Sequence, residues 1–555
     1  MKKYGWLLLF AGFLLGFGIA NTGKVIKRAD VRAAARLFQL HFERAEIDTM
    51  LNYLESNRRG YESMRGFQLK NEVEPAMVFD PFPSELEIPS YNGLNHWEIP
   101  AHVSLPENEE DIAFMTIPEL AALLSSKKLS ATQLTNIYLN RIKAFDSNLL
   151  SFITVTEELA LSQAKKADEE IAAGNYKGIL HGIPYGVKDL ASVPGYPTTW
   201  GAEPYKYQVI DQKASVVQKL EDHGAVLLGK LVSGSLARGD VWFGGKTKNP
   251  WDLNQGATGS SAGSGSATSA GLVAFAIGTE TLGSIISPST RTGVTGLRPT
   301  YGAVSKHGFM VLSWSMDKVG PICRSAEDCA IVFDHIRGWD PTDRSSRDAS
   351  FEFNKAADLQ SLKIGYLYGQ FSKDSSQNNQ HNFRALEELK SLGINPEIVS
   401  LPDHHPFEVF DIILRAESGA FFDELVTKDS HREMVEQHKG SRANSLRQAR
   451  FIPAVEYLQA NRHRRQLIEA THQVLKHFDV VISPTFGGRQ MLITNLTGHP
   501  ALAIPNGQDA DGHPTSITLI GNYFQEEKLL QVANAYQQKF PYHQMRPEAY
   551  KKGLD

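Results

Sequence analysis

The chain has 555 residues, 42% of them hydrophobic and 21% charged, and a formal net charge of −5. This is an ordinary globular composition that can bury a large core, and the charge gives no general pull toward nucleic acid or an anionic membrane surface. Its two cysteines, Cys323 and Cys329, form neither a disulfide framework nor a CxxC metal pattern, so both are expected as small buried apolar residues.

In chain order, MKKYGWLLLFAGFLLGFGIA opens with Lys2 and Lys3, runs apolar from Trp6 to Ala20 and ends on small residues. It reads as a signal peptide over residues 1–20, which implies an exported protein, periplasmic or secreted. An uncleaved anchor helix is the other reading, although the run is short for spanning a bilayer. A helical hairpin is expected over 21–75, because Val31, Ala34, Ala35 and Phe38, and again Ile47, Met50, Leu51 and Leu54, fall at helical spacing. The proline- and aromatic-rich stretch 76–110 reads as an extended connector lying over another domain. From residue 111 to 555 helices alternate with strands. Ser130 and Gln133 make a capping box, 151–156 alternates like a strand, and GAVLLG and DVVISP are short buried-strand runs. The class is therefore α/β, with a central sheet covered by helices. Residues 340–355 and 400–450 look polar and irregular, and the basic run NRHRR at 461–465 reads as a solvated helix face.

The stretch Gly256–Gly271, GATGSSAGSGSATSAG, is built only of Gly, Ala, Ser and Thr. Such composition suits a flexible linker. Here, however, it runs directly into LVAFAIG, a buried-strand pattern, and then into a second small-residue turn, GTETLGSIISPSTRTG. Two such turns meeting at one sheet edge would leave backbone N–H groups open to a ligand, which points to a site. A phosphate loop is excluded, since FGGKTK has Asp240 where that motif needs glycine. A nucleophile elbow, Gly259-Ser260-Ser261-Ala262-Gly263 with Ser261 as nucleophile, stays open, although NPWDLNQGAT before it reads as loop where the motif needs a strand. A lysine base is the third reading. Lys188 lies in the apolar segment HGIPYGVKDL, and a buried lysine without a counter-charge is pushed toward the neutral amine that can take a proton from serine. Pairing with Asp189 would instead make it scaffolding.

The segment from GATGSSAGSGSATSAG through GTETLGSIISPSTRTG to GLRPTYG resembles the signature of the amidase signature family of serine hydrolases. GIPYGVKD looks like that family's lysine strand, and VVISPT and NLTGHPALAIPNG resemble its C-terminal region, so the likeness covers roughly residues 111–545. The resemblance implies a central mixed sheet with helices on both sides, and hydrolysis of a linear amide through an acyl-enzyme. It implies a Ser–cis-Ser–Lys triad in which Ser284 is the nucleophile, Ser260 the bridging serine after a cis peptide bond, and Lys188 the base. Backbone N–H groups of Thr281, Leu282, Gly283 and Ser284 would hold the oxyanion, with Ser261 and Ser264 in support. No metal or cofactor is implied, and His307 and His499 are at most pocket-lining. Two departures stand out. Leu282 replaces the first of two glycines found in many members, and Ile286 and Ser287 occupy positions where members that take acidic acyl groups often carry arginine. Arg291 is expected in a structural salt bridge. The hairpin is similar to the small helical C subunit of tRNA-dependent amidotransferases, which leaves a glutaminase-type role as an alternative alongside an esterase using Ser261. The partner expected is a small-molecule amide and no nucleic acid. A homodimer is kept open, and membrane attachment applies only if residues 1–20 stay uncleaved.

Overall fold

The computed structural model of the protein describes residues 25–65, 77–373 and 377–551. The expected signal peptide lies outside these residues. Among the described residues no helix is long and apolar enough to cross a membrane. Two compact units divide the chain between residues 73 and 74.

Among the described residues the first unit holds the helices Arg28–Leu37 and Arg44–Arg65. Val31, Ala35 and Ile47 are buried, as the helical spacing predicts, whereas Ala34 is exposed. Arg28 Nη2 donates to Asp48 Oδ2 at 2.9 Å, which ties the two helices together.

The second unit is built on one eleven-stranded sheet. Its strands are β1 (Phe152–Val155), β2 (Pro184–Lys188), β3 (Val226–Leu231), β4 (Phe275–Glu280), β5 (Thr295–Arg298) and β6 (Lys318–Cys323). They continue with β7 (Ile364–Tyr366), β8 (Glu397–Ile398), β9 (Val480–Pro484), β10 (Ala501–Gln508) and β11 (Pro514–Gly521). The spatial order is β1-β3-β2-β4-β6-β5-β10-β11-β9-β7-β8. Pairings are parallel between β3 and β2, between β2 and β4, and along β9-β7-β8, and antiparallel elsewhere, so the sheet is mixed. β2, β3, β4 and β6 are buried along their whole length. Strands covered on both faces read as continuous apolar runs, which is why GAVLLG and LVAFAIG are legible as strands.

The helix Ala131–Leu149 starts at the capping box of Ser130 and Gln133, with Gln133 N donating to Ser130 Oγ at 3.0 Å. Cys323 and Cys329 are free and buried. From residue 77 to 108 the connector runs without helix or strand over the sheet domain. Phe79 packs edge-on against Tyr301, Phe82 against Tyr523, and Trp97 Nε1 donates to Asp334 at 3.0 Å.

Three expectations are corrected. Residues 400–450 carry the helices Phe410–Phe421, Asp423–Thr427 and Arg442–Ala449. Their apolar period is broken because a carboxylate, Glu417, is buried among serine donors from Ser313 and Ser315. In NRHRR, Arg464 is fully buried rather than solvated, and it binds Leu496 O and both the hydroxyl and the carbonyl of Ser315. Asp252–Gly256, read as loop, is a strand paired with Lys248–Asn249 in a separate ribbon.

Candidate active site

Lys188 ends β2, between the parallel neighbours β3 and β4. Strand alternation sends successive side chains to opposite faces, so Lys188 and Asp189 part company. Asp189 accepts from Thr199 N at 2.9 Å and lies 2.6 Å from the buried Lys230 amine. Lys188 is thereby left without a carboxylate against it, and the scaffolding alternative is not what the fold builds. Its Nζ donates to Ser260 Oγ at 2.8 Å, Thr279 Oγ1 at 2.9 Å and Ser261 Oγ at 3.0 Å. Burial pushes this amine down to about 7, against the pull of the more distant Asp317 and Glu280.

The tract Gly256–Gly271 is no tether. It forms a turn and then the helix Ala262–Ser269, buried at every position. A helix buried all round needs small residues, and its hydroxyls must find acceptors. Ser264 donates to Ile277 O at 3.1 Å and Ser266 to Lys248 O at 2.9 Å. Ser264 thus pins the helix to β4 and does not touch the lysine. The Gly259–Ser260 peptide before the helix is cis, as the resemblance implies.

Ser261 is fully buried; it accepts from Lys188 and donates to Thr279 O at 3.1 Å. Among the described residues no histidine bonds to it, and the strand before it belongs to the small ribbon, so the elbow reading loses its geometry. Ser284 is 8% exposed, the most open of the three serines. It is held to the turn by its backbone, its carbonyl accepting from Ser261 N at 3.2 Å. Among the described residues no hydrogen bond joins Ser284 Oγ to Ser260 Oγ.

Between β4 and the helix Ile286–Thr292 the chain makes a tight loop, with Gly283 at φ +83°. At that positive φ an L side chain is strained, so this second position favours glycine while the first accepts Leu282, whose side chain is exposed. Among the described residues the backbone N–H groups of Thr281, Leu282, Gly283 and Ser284 have no acceptor. The next two are occupied, since Ile285 N and Ile286 N both donate to Glu280 Oε2, at 2.9 and 3.0 Å. The other oxygen of Glu280 accepts from Arg298 and Asn495, each at 2.8 Å. Burial raises the Glu280 carboxyl, but Arg298 overrides it and holds it at about 2. Thr281 Oγ1 donates to the buried Asp317 at 2.6 Å, and Asp317 also accepts from Leu312 N at 2.7 Å.

This outer frame of Thr279, Glu280, Arg298, Asn495 and Asp317 escapes sequence reading. The alternation of β4 past Thr279 and Glu280 is the one signal that could have found part of it. His499 does not line the site. It is buried, stacked on Tyr523 at 3.9 Å and bonded to Thr497 at 2.7 Å. His307 contacts Gln212 at 2.8 Å and none of the site residues. Among the described residues Arg291 makes no salt bridge; it donates to Gln255 at 2.5 Å instead.

Similarity to known proteins accords with this geometry. The Amidase family profile matches residues 133–492. The chain is 34% identical over 483 residues to the A subunit of the glutamyl-tRNA(Gln) amidotransferase of Pseudomonas aeruginosa, covering 79% of this chain and 99% of that protein. It superposes on the peptide amidase of Stenotrophomonas maltophilia with a TM-score of 0.68 at 28% identity, over 77% of this chain and 97% of that one. A bacterial aryl acylamidase of the same family shares the fold, with a TM-score of 0.70 at 22% identity over 80% and 99% of the two chains. The chain belongs to the amidase signature family of amide-hydrolysing enzymes.

Proposed function

We propose that the protein hydrolyses a linear carboxylic amide through an acyl-enzyme on Ser284. The observation that carries this reading is the buried, carboxylate-free Lys188 amine 2.8 Å from Ser260 Oγ. A neutral amine accepts a proton, so Lys188 takes one from Ser260, which in turn takes one from Ser284 as its Oγ attacks the amide carbon. The oxygen of the tetrahedral adduct enters the loop of four N–H groups, Thr281 to Ser284. Each donor aimed there is worth about 3–4 kcal/mol of barrier lowering. The proton returns along the same path to the leaving nitrogen, the C–N bond breaks, and water releases the acid by the same steps reversed.

The test is mass spectrometry of Ser284 after exposure to a mixed library of linear amides. A trapped acyl group supports the reading. Single substitutions Ser284→Ala, Ser260→Ala and Lys188→Ala each abolish turnover, whereas Ser261→Ala retains most of it. Full activity in Ser284→Ala overturns the reading.

A second reading is favoured by the likeness to the A subunits of amidotransferases: a glutaminase that passes ammonia to a partner chain. Ammonia release from glutamine by the isolated protein would support it. The N-terminal segment supports export, with cleavage after Ala20. The intact mass of protein recovered outside the cytoplasm tests that, and a mass retaining residues 1–20 overturns it.

A further inference from the structure

Two carboxylates bracket the four open N–H groups at 281–284. Glu280 accepts from Ile285 N and Ile286 N just after them, at 2.9 and 3.0 Å. Asp317 accepts from Thr281 Oγ1, at the first of the four, at 2.6 Å. Glu280 also pairs with Arg298, so charge balance alone accounts for its burial. Asp317 stands differently. Its other oxygen accepts from Leu312 N at 2.7 Å and Ser313 N at 3.0 Å, so one oxygen serves each of two loops. A carboxylate is costly to take out of water, yet Asp317 is buried.

The register of the sheet puts it there. β4 and β6 run antiparallel, with Lys318 opposite Glu280 as the last pair of the ladder. Past that pair the bond from Thr281 Oγ1 to Asp317 joins the two chains where main-chain pairing stops. The far side of the 312–317 loop is fixed as well. Glu417 accepts from Ser313 Oγ at 2.6 Å and Ser315 Oγ at 2.7 Å, and Arg464 donates to Ser315 O at 2.7 Å. Thr281 is therefore moored, through Asp317, to a loop held from both sides. Leu282 and Gly283 carry no polar side chain, so the course of the oxyanion loop is set at its two ends.

We infer that Asp317 is a positioning residue for the hydrolysis: by holding the Thr281 hydroxyl it fixes the first edge of the oxyanion loop, so that the N–H groups at 281–284 stay aimed at one point. It acts through Thr281 rather than on the reacting atoms. The inference rests on the amide-hydrolysis reading above and adds to it the residue that sets the shape of the loop. Donors fixed in advance need no reorganisation as charge develops on the oxygen, and a misplacement of about 1 Å in such a site costs about 10²-fold in rate.

The test uses the full chain and an alkyl fluorophosphonate. Ser284 Oγ attacks phosphorus, the P–O bond forms, fluoride leaves and the hydroxyl proton passes to the base, while the phosphonyl oxygen takes the place of the oxyanion. Intact-protein mass gives the maximal labelling rate and the half-saturating probe concentration. Thr281→Val keeps the backbone N–H and removes only the hydroxyl. Its maximal rate falls about 10- to 100-fold, while the half-saturating concentration stays within about twofold of the parent. Thr281→Ser, which keeps the hydroxyl, labels about tenfold faster than Thr281→Val. Asp317→Asn loses at least as much as Thr281→Val, and Thr281→Val/Asp317→Asn loses no more than Asp317→Asn alone, because both changes break one link. Should Asp317→Asn fail to fold, the comparison of the two variants at 281 decides. Equal rates in Thr281→Val and Thr281→Ser, parent-like labelling of Asp317→Asn, or losses that multiply in the double variant overturn the inference while leaving the hydrolase reading intact. Failure of the parent chain to label Ser284 sinks the hydrolase reading, and the inference with it.

Discussion

Lys188 is chemically useful because of what the strand denies it. Its neighbour Asp189, the nearest carboxylate in sequence, turns to the opposite face and pairs with Lys230. A lysine brought down from its ordinary 10.5 to about 7 is charged below pH 7 and neutral above it. Under the proposed mechanism the base is active only when unprotonated, so kcat/KM is expected to rise with pH through about 7 and reach a plateau beyond. A pH–rate profile checks this, and a flat profile from pH 5 to 9 contradicts it. Lys188→Arg keeps the charge at every pH and lowers kcat/KM by about 10³-fold, and it also costs stability because the larger guanidinium is buried without a carboxylate. Glu280 belongs to the same scale. Its carboxylate sets the loop after β4 through Ile285 N and Ile286 N while neutralising Arg298. Glu280→Gln leaves Arg298 buried and unpaired, which costs about 3–5 kcal/mol of stability. Denaturant unfolding reads that loss, and kcat falls more than KM rises.

The helix Ala262–Ser269 shows how composition misleads at the scale of an element. Its glycines and serines look like tether residues, yet each small side chain is a packing requirement. A Cβ on Gly263 would lie 2.3 Å from both Ser151 O and Val232 N, main-chain atoms that cannot move aside. Gly263→Ala therefore destabilises by about 1–3 kcal/mol and displaces the serine turn at the helix start. Reduced Tm together with slower labelling of Ser284 is the expected result. In contrast, the helices between 407 and 450 are hidden from sequence reading because their inward faces carry Glu417 and Arg442, polar groups that disrupt the apolar period on which such reading depends.

At the scale of the whole chain, the connector acts as part of the second unit's core rather than as a loose joint. Arg464 stacks over Phe79 at 3.6 Å, and Phe82 packs on both Tyr523 and Phe524. Phe82→Ala lowers stability by about 2 kcal/mol, and calorimetry of the full chain measures it. A chain beginning at residue 77 retains labelling of Ser284, whereas one beginning at residue 100 loses the contacts to Tyr301, Tyr523 and Asp334 and melts well below the parent.

Length, the run of small residues, the buried-strand patterns and the order of the signature segments were sufficient to determine the α/β class and the family, and the resemblance named Lys188, Ser260 and Ser284 as the candidate triad. Local pattern carries these because strand burial and glycine turns leave marks in neighbouring residues. Tertiary structure decided which carboxylate Lys188 escapes and which N–H groups remain open at 281–284. Those depend on residues hundreds of positions apart, such as Glu280 with Asn495, and only the packed sheet brings them within hydrogen-bond reach.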